Sequence, residues 1–223
     1  MEDATEREEI RDRFLLVDTA NVADVLDDLG LPDQGLSPEF QAASGTRLAG
    51  WVYTIAGQMM AYAGSGDTRK MEACNGIGPH EVSVWSGDGE GVCYFGELIA
   101  LGMAQRGSTG ALVDGGVRDT RALRDHEFPV FARYRSSVQS IGRWRVTAWQ
   151  VAVAVAGATS RRVIVYPGDF VVADEDGAIV VPHDRVAEVL DRSEAMTRSE
   201  VSVREALRAG MSLSDALDQF GHV

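Results

Sequence analysis

Residues 92–131, VCYFGELIALGMAQRGSTGALVDGGVRDTRALRDHEFPVF, decide the fold of this chain. Three short apolar runs in this stretch predict strands and two segments between them predict helices, in the chain order 92–95, 96–106, 111–113, 118–126 and 128–131. Strands that alternate with helices in this way lie parallel and are joined by right-handed crossovers. We therefore expect an α/β fold with a central β-α-β-α-β unit.

Polar residues follow the first two of these strands. Gly96 and Glu97 come after the first strand, and the segment DGGVRD at 114–119 comes after the second. Ligand sites in parallel sheets lie beyond the carboxyl ends of the strands, and glycines there let the backbone approach a ligand closely. The sequence therefore predicts a site at this edge of the sheet.

The segments on either side of this unit complete one domain. Residues 18–29 predict an amphipathic helix, because apolar residues recur at helical spacing and a glycine follows. Strands are predicted at 47–56, 81–85, 146–155, 162–166, 170–173 and 178–181, a mostly irregular segment with a short helix at 64–80, and helix from residue 184 onward. We divide the chain into an N-terminal extension (1–17), a catalytic domain (18–183) and a C-terminal helical region (184–223).

Charge and composition narrow the function. The formal net charge is −13 at pH 7, and nucleic-acid binding relies on a positive surface, so we expect no nucleic acid as a partner. No apolar run is long enough to span a membrane, and the N-terminal residues are acidic where a signal peptide is basic. We therefore expect a cytoplasmic protein without membrane contact. Two cysteines do not indicate a disulfide scaffold in a chain of 223 residues.

Arg118 and Asp119 are the strongest candidates for chemistry in the predicted site. An arginine can hold a carboxylate through two parallel hydrogen bonds, and an aspartate beside it can bind Mg²⁺ or Mn²⁺, which prefer oxygen ligands. Glu97 begins the helix after the neighbouring strand, where the free amides of Leu98 and Ile99 can bind the carboxylate of a 2-oxo acid. Two plainer interpretations stay open: a surface turn with an incidental ion pair, and a first-turn acid that suits the helix dipole.

Other polar groups point less clearly to chemistry. Asp174 and Asp176 lie in a turn signal that predicts a hairpin rather than a metal cluster. The glycine-rich segment 86–91 predicts a plain turn, because the Lys-Ser/Thr pair of a phosphate-binding loop does not follow it. No Gly-x-Ser-x-Gly motif supports a Ser-His-Asp hydrolase. The four histidines are scattered without metal-ligand spacing: His80, His126, His183 and His222.

Five segments together match a known signature. They are GEL at 96–98, DGGVRD at 114–119, FPVFA at 128–132, TANVADVLD at 19–27 and the hairpin segment at 166–182. In these segments the chain resembles the RraA-like family, which includes 4-hydroxy-4-methyl-2-oxoglutarate and 4-carboxy-4-hydroxy-2-oxoadipate aldolases. The resemblance extends over most of the chain. It is weak at 59–80, and GWVYT at 50–54 stands where many relatives have Gly-Pro-Ala-x-Thr, so the substrate stays open.

The resemblance implies a β/β/α swivelling-domain fold and roles for the site residues. Arg118 is implied to hold the pyruvyl group, Asp119 to hold Mg²⁺ or Mn²⁺, and Glu97 to hold a water of that metal. Substrate binding is implied for the start of the helix: Gly96, Leu98 and Ile99. Family members form trimers or hexamers with active sites between subunits, and a C-terminal glutamate of the neighbouring subunit completes the site. Glu200 is the best match for that glutamate here.

These residues predict a divalent-metal-dependent lyase. Retro-aldol cleavage or decarboxylation needs an electron sink at the 2-oxo group, which is either a lysine Schiff base or a metal ion. The one lysine of the chain, Lys70, lies in a polar segment that offers no visible means of lowering its pKa, so the metal fits better. We expect a 2-oxo acid substrate such as 4-hydroxy-4-methyl-2-oxoglutarate or oxaloacetate, with pyruvate as product.

Two other functions stay open at this point. Some members of the family are non-catalytic regulators that bind an RNA-degrading endonuclease through protein contacts. An acidic surface suits such a role, but the role does not require the pair Arg118–Asp119. A biosynthetic enzyme recruited from the same fold, with a different substrate, is also compatible with the sequence.

Overall fold

The structure is a computed structural model that describes residues 4–87 and 89–221. His222 and the centre of the predicted turn at 86–91 lie outside the described residues. The strands are β1 Gln41–Ser44, β2 Leu48–Met59, β3 Glu81–Ser86, β4 Cys93–Phe95, β5 Gly110–Val117, β6 Val130–Arg135, β7 Trp144–Trp149, β8 Val153–Ala156, β9 Arg162–Val165, β10 Phe170–Ala173 and β11 Ala178–Val181.

The helices lie before, between and after these strands. They are α1 Ala4–Phe14, α2 Thr19–Asp28, α3 Thr68–Asn75, α4 Glu97–Ala104, α5 Thr120–Asp125, α6 Val186–Arg208 and α7 Leu213–Phe220, with a short 3-10 helix at His183–Arg185. The predicted helices at 18–29, within 64–80 and from residue 184 onward are thereby confirmed. Among the residues described, no helix combines the length and the apolar character needed to cross a membrane.

One sheet runs through the described part of the molecule in the order β1-β6-β5-β3-β2-β10-β11. β4 pairs with the end of β5, and β7 pairs with the end of β2. The strands β8 and β9 form a separate antiparallel hairpin. β4, β5 and β6 pair in parallel and are joined by α4 and α5. The predicted α/β class and its central β-α-β-α-β unit are therefore confirmed.

Several strand bounds differ from the prediction by a few residues, and two segments differ in kind. Residues 114–117, expected to form a turn, continue β5, because Gly115 and Gly116 make room for aromatic rings. A Cβ at Gly115 would lie 2.2 Å from a ring carbon of Tyr94, and one at Gly116 2.6 Å from a ring carbon of Tyr134. The single strand expected at 146–155 is two strands, because Gln150 adopts a left-handed backbone with φ 52° that ends β7.

The sheet is covered on both faces. Ala111 and Val113 of β5 face the core beneath α3, α4 and α5, whereas Leu112 between them faces the core beneath the hairpin β8–β9. A third apolar cluster joins the N- and C-terminal helices to β10 and β11. There Phe14 of α1 stacks on Phe170 at 4.6 Å between ring centroids. This arrangement leaves the carboxyl ends of β4 and β5 open at one edge.

Candidate active site

A cavity of about 680 Å³ opens beside the carboxyl ends of β4 and β5. Its walls come from α3, β4, the start of α4, the turn after β5 and the segment 139–141. The lining is largely apolar with a few charged side chains, as is common in sites for small molecules. It contains five of the candidate site residues: Gly96, Leu98, Ile99, Arg118 and Asp119.

Arg118 and Asp119 form the charged rim of this cavity. Asp119 lies just before α5 in a left-handed conformation with φ 58°, uncommon for a residue other than glycine. Its Oδ2 accepts a hydrogen bond from the amide of Glu97 at 3.3 Å and lies 3.4 Å from Nε of Arg118. Both side chains stay about two-fifths exposed. The structure therefore joins the two predicted polar clusters at one point.

Glycine at position 96 leaves room for the side chains of Arg118 and Asp119. Its φ of −168° is ordinary extended backbone, so conformation does not demand glycine here. A Cβ at this position, however, would lie 2.6 Å from Oδ2 of Asp119 and 3.1 Å from Cγ of Arg118. The next two amides, of Leu98 and Ile99, have no hydrogen-bond acceptor among the described residues. They are the free donors expected at the N-terminus of a helix.

His126 joins the site without having been expected there. It follows α5 directly, and its Nε2 lies 3.2 Å from Oε1 of Glu97. The sequence gives no metal-ligand spacing for the histidines, so it offered no sign of this contact. The parallel topology explains the contact, because α4 and α5 follow adjacent strands and pack against each other.

The structure contradicts the prediction that nothing around Lys70 lowers its pKa. It is 9% exposed, lines the cavity, and its Nζ donates a hydrogen bond to the carbonyl of Tyr94. Nζ lies 5.4 Å and 5.9 Å from the ring centroids of Trp85 and Trp144. Burial lowers the pKa of Lys70 from its usual value. The polar sequence around this lysine suggested an exposed side chain. That interpretation was wrong, because Asp67-Thr-Arg-Lys begins a helix whose buried face includes Lys70.

Asp114, predicted within the second polar cluster, lies on the other face of β5. It is 1% exposed, and its carboxylate accepts hydrogen bonds from Arg133 at 3.0 Å, the amide of Ala156 at 3.1 Å and Arg162 at 3.3 Å. Burial raises the pKa of Asp114, while the hydrogen bond from Arg133 opposes that shift. Side chains alternate along a strand, so Asp114 ties the hairpin β8–β9 to the sheet and takes no part in the cavity.

A family model for RraA-like proteins, described as aldolase/RraA, matches residues 19–180. This chain belongs to the RraA-like family. The predicted RraA-like fold is confirmed by the structure of Streptomyces coelicolor RraAS2, an unusual member of the RNase ES inhibitor RraA protein family. That structure superposes with a TM-score of 0.75 at 25% identity, over 88% of this chain and 96% of its own.

Relatives carry different names within the family. DlpA of Legionella pneumophila is 26% identical over 203 residues, which are 91% of this chain and 32% of DlpA. A protein of Halalkalibacterium halodurans named "Putative 4-hydroxy-4-methyl-2-oxoglutarate aldolase" is 30% identical over 116 residues, 52% of each chain. The RraA-like chain thus spans about a third of the first relative and half of the second.

The remaining predicted residues lie away from the cavity of their own chain. Glu200 is in α6, pairs with Arg204 one turn along, and does not line the cavity. Asp174 accepts hydrogen bonds from the amide and hydroxyl of Thr19 and from the amide of Asp176. The hairpin interpretation of Asp174 and Asp176 is therefore confirmed, because these bonds are turn and cap contacts.

The donor set of this RraA-like site fits a hard divalent cation bound with few protein ligands. No group of three His, Cys, Asp or Glu side chains gathers anywhere in residues 4–87 and 89–221 in the manner of a metal cluster. Mg²⁺ commonly keeps several waters and takes one or two carboxylates plus oxygens of the substrate. Oδ1 of Asp119 receives no hydrogen bond from the described residues, so it offers such a carboxylate oxygen.

Proposed function

We propose that this RraA-like protein is a divalent-metal-dependent lyase that cleaves a carbon–carbon bond of a 2-oxo acid and releases pyruvate. One observation carries the proposal: the guanidinium of Arg118, the carboxylate of Asp119 and the unpaired amides of Leu98 and Ile99 meet at the rim of one cavity. An anion-binding helix end beside an arginine suits the carboxylate of a 2-oxo acid.

The bond changes define what the site must do. In 4-hydroxy-4-methyl-2-oxoglutarate the C3–C4 bond breaks, the 4-hydroxyl loses its proton and C3 gains one, which gives two pyruvate molecules. In oxaloacetate the C3–C4 bond breaks, CO₂ leaves and C3 gains a proton. In both reactions the electron pair of the broken bond moves toward the 2-oxo oxygen, where negative charge develops.

Each residue has a part in that chemistry. Asp119 would hold the Mg²⁺ or Mn²⁺, and the bound cation would supply positive charge for the 2-oxo oxygen. Arg118 holds the substrate carboxylate, and the amides at the start of α4 orient it. Glu97, whose amide contacts Asp119 and whose carboxylate lies beside the rim against His126, takes the proton of the 4-hydroxyl through water. His126 contacts Glu97 and keeps it in place.

The test is pyruvate release from 4-hydroxy-4-methyl-2-oxoglutarate and oxaloacetate. We expect release with Mg²⁺ or Mn²⁺, loss of release on adding a chelator, and recovery when the metal is returned. Release that a chelator leaves untouched would contradict the metal's role. No release from either substrate, or from related 2-oxo acids, would contradict the lyase.

Assembly belongs to the same proposal. We expect a trimer or a hexamer in which Glu200 of one subunit approaches the cavity of the next. Support comes from the exposed apolar side chains of α6 and α7, including Val201, Leu213 and Leu217. Light scattering gives the mass in solution, and a fully active monomer would remove any role for Glu200.

A regulatory role is the second candidate, favoured by the fold match to RraAS2, a member of the RNase ES inhibitor RraA protein family. The chain would then bind an RNA-degrading endonuclease through its acidic surface. Arg118→Lys separates the two functions, because cleavage of a 2-oxo acid needs the arginine and a protein contact elsewhere does not. Endonuclease inhibition that survives this variant, in a protein without lyase activity, would favour regulation.

A further inference from the structure

Lys70 is a buried cation that forms no ion pair with the residues the structure describes. Its side chain is nine-tenths buried, yet no carboxylate of the described residues lies within 4.0 Å of Nζ. The contacts of Nζ are the carbonyl of Tyr94 and the faces of Trp85 and Trp144, all of which are neutral. A buried charge is costly unless it is paired, so the described part of the chain leaves the charge of Lys70 without a paired anion.

The nearest acid in sequence, Asp67, is committed elsewhere. Its Oδ1 accepts the backbone amide of Lys70 at 3.2 Å, and its Oδ2 accepts the amide of Val146 at 3.0 Å. Arg145 provides its ion pair at 3.8 Å. Asp67 therefore begins α3 and anchors β7, and both of its carboxylate oxygens already have other partners. Lys70, whose side chain lines the inner wall of the cavity, has no ion pair with it among the described residues.

Lys70 and Arg118 hold consecutive residues of the same short strand. Nζ of Lys70 donates to the carbonyl of Tyr94, and the amide of Arg118 donates to the carbonyl of Phe95 at 3.1 Å. Both side chains line the cavity, with Lys70 at its buried wall and Arg118 at its more exposed rim. Two cationic residues, Lys70 and Arg118, thus line one cavity, with Phe95 and Ile99 as apolar lining.

We propose that Lys70 forms a second anion-binding subsite, which takes the distal carboxylate of a 2-oxo diacid whose first carboxylate lies on Arg118. The choice of a 2-oxo acid rests on the proposed function, whereas the second subsite rests on Lys70 itself. The subsite makes the protein selective for diacids over 2-oxo acids with a neutral tail. Burial is the main cause that lowers the pKa of Lys70, and Arg118 adds a smaller lowering while Asp67 opposes it. A carboxylate beside Lys70 would offset the lowering.

A Schiff base on Lys70 is the competing role for the same side chain. Its contacts favour the charged form, since a carbonyl oxygen and two ring faces all attract an ammonium. A nucleophilic amine must give up these contacts before it attacks a 2-oxo carbon. The geometry therefore favours charge recognition, and covalent trapping decides between the two roles.

The binding test uses two ligands that cannot undergo retro-aldol cleavage, 2-oxoglutarate and 2-oxopentanoate, which differ by a carboxylate in place of a methyl group. Calorimetry in the presence of Mg²⁺ gives both affinities, and tryptophan fluorescence, to which Trp85 and Trp144 beside Lys70 contribute, gives a second measure of binding. We expect wild type to bind 2-oxoglutarate about 10- to 100-fold more tightly, the range of a hydrogen bond to a charged group. Equal affinities in wild type would overturn the proposal.

Lys70→Met removes the charge and keeps a long unbranched chain. We expect it to abolish the preference for 2-oxoglutarate while affinity for 2-oxopentanoate changes less than about threefold. Arg69→Met is the matched control, because Arg69 lies one residue away on the exposed side of α3 and outside the cavity. Equal losses for both ligands in Lys70→Met would indicate a purely structural lysine. Should that variant fail to fold, the wild-type comparison still decides.

A cleavage assay distinguishes the proposed subsite at Lys70 from the proposed lyase activity. The pair 4-hydroxy-2-oxoglutarate and 4-hydroxy-2-oxopentanoate yields pyruvate with glyoxylate or with acetaldehyde, and we expect wild type to prefer the diacid. Diacid-selective binding without cleavage of any substrate would leave the subsite standing and remove the proposed activity. A borohydride-stable adduct on Lys70, seen as added mass on its peptide, would overturn the subsite in favour of a Schiff base.

Discussion

Two aspartates five residues apart, Asp114 within β5 and Asp119 in the turn after it, lie on opposite sides of the sheet. Asp114 is 1% exposed, and both of its oxygens are taken by Arg133, Arg162 and the amide of Ala156. Asp119 keeps a side chain that is 40% exposed, and only its Oδ2 has partners among the described residues. One carboxylate is saturated by its own chain, and the other is open to a ligand.

The difference teaches how to separate structural from functional charge in this fold. A buried carboxylate whose oxygens are all used holds elements together, because any new partner would have to displace an existing one. Asp119 has a backbone conformation that is uncommon outside glycine, and a free carboxylate oxygen beside a cavity. Such conformations often occur at functional sites, where they hold a side chain in the position that a ligand requires. We therefore expect substitutions at the two positions to affect different properties.

Asp119→Asn should have the largest effect on activity. Asparagine keeps the shape but loses the charge that holds the cation, and metal polarisation contributes several kcal/mol to such reactions. We expect pyruvate release to fall about 10³-fold, with the free energy of unfolding within about 0.5 kcal/mol of wild type. Asp125→Asn, on the exposed face of α5, is the control. Full activity in Asp119→Asn would place the metal elsewhere.

Asp114→Asn should show the opposite pattern. It leaves Arg133 and Arg162 without the buried carboxylate that they share, and breaking a buried ion pair costs about 3 kcal/mol or more. We expect a loss near that lower value in urea unfolding, because both arginines are partly exposed. Activity per folded molecule should stay within about threefold of wild type. A stable but inactive variant would contradict the separation of the two faces.

The sequence was sufficient for the central unit, because alternating apolar runs and helical segments leave few topologies. It also placed Arg118, Asp119 and Glu97 at one edge, since the carboxyl ends of adjacent parallel strands meet there. It failed at 114–117, where two glycines serve close packing against tyrosines inside a strand. The sequence Gly-Gly is compatible both with a turn and with a strand that packs closely against other residues. The residues that decide between these two structures are distant in the chain.

The same limit explains the two site residues that the sequence missed or misjudged. Lys70 has polar neighbours in the sequence, which suggest an exposed side chain. In the structure, Asp67 caps the start of α3, and Lys70 lies on the buried face of that helix, near the rings of Trp85 and Trp144. His126 reaches Glu97 across two different helices, a contact 29 residues apart in the chain. Local patterns predict elements and strand ends, but a partner that comes from another element requires the packed structure.

Arg118→Lys tests whether the open site beside Asp119 binds the carboxylate of the substrate. Lysine keeps the charge but lacks the planar fork that binds a carboxylate in two places. We expect kcat/KM to fall about 10²-fold, with KM raised and kcat lowered, because the carboxylate and the developing charge lie near one guanidinium. Arg121→Lys, whose side chain is 92% exposed, is the matched control. Wild-type kinetics would make Arg118 a turn residue only.

Gly96→Ala should give the smallest effect and the finest test of the open carboxylate. The backbone of Gly96 suits any residue, so we expect the free energy of unfolding to change by less than about 1 kcal/mol. The new methyl would lie 2.6 Å from Oδ2 of Asp119, and the end of that side chain can swing away.

The displaced carboxylate then loses the amide of Glu97 and no longer presents its free oxygen to the cavity. We expect the concentration of Mn²⁺ required for half-maximal activity to rise about 10-fold, the lower end of the effect of losing a residue that orients a metal ligand. Gly102→Ala, in the middle of α4 with no atom within 4 Å of its Cβ, is the control. Unchanged metal dependence in Gly96→Ala, with stability intact, would show that the position of Asp119 does not govern metal binding.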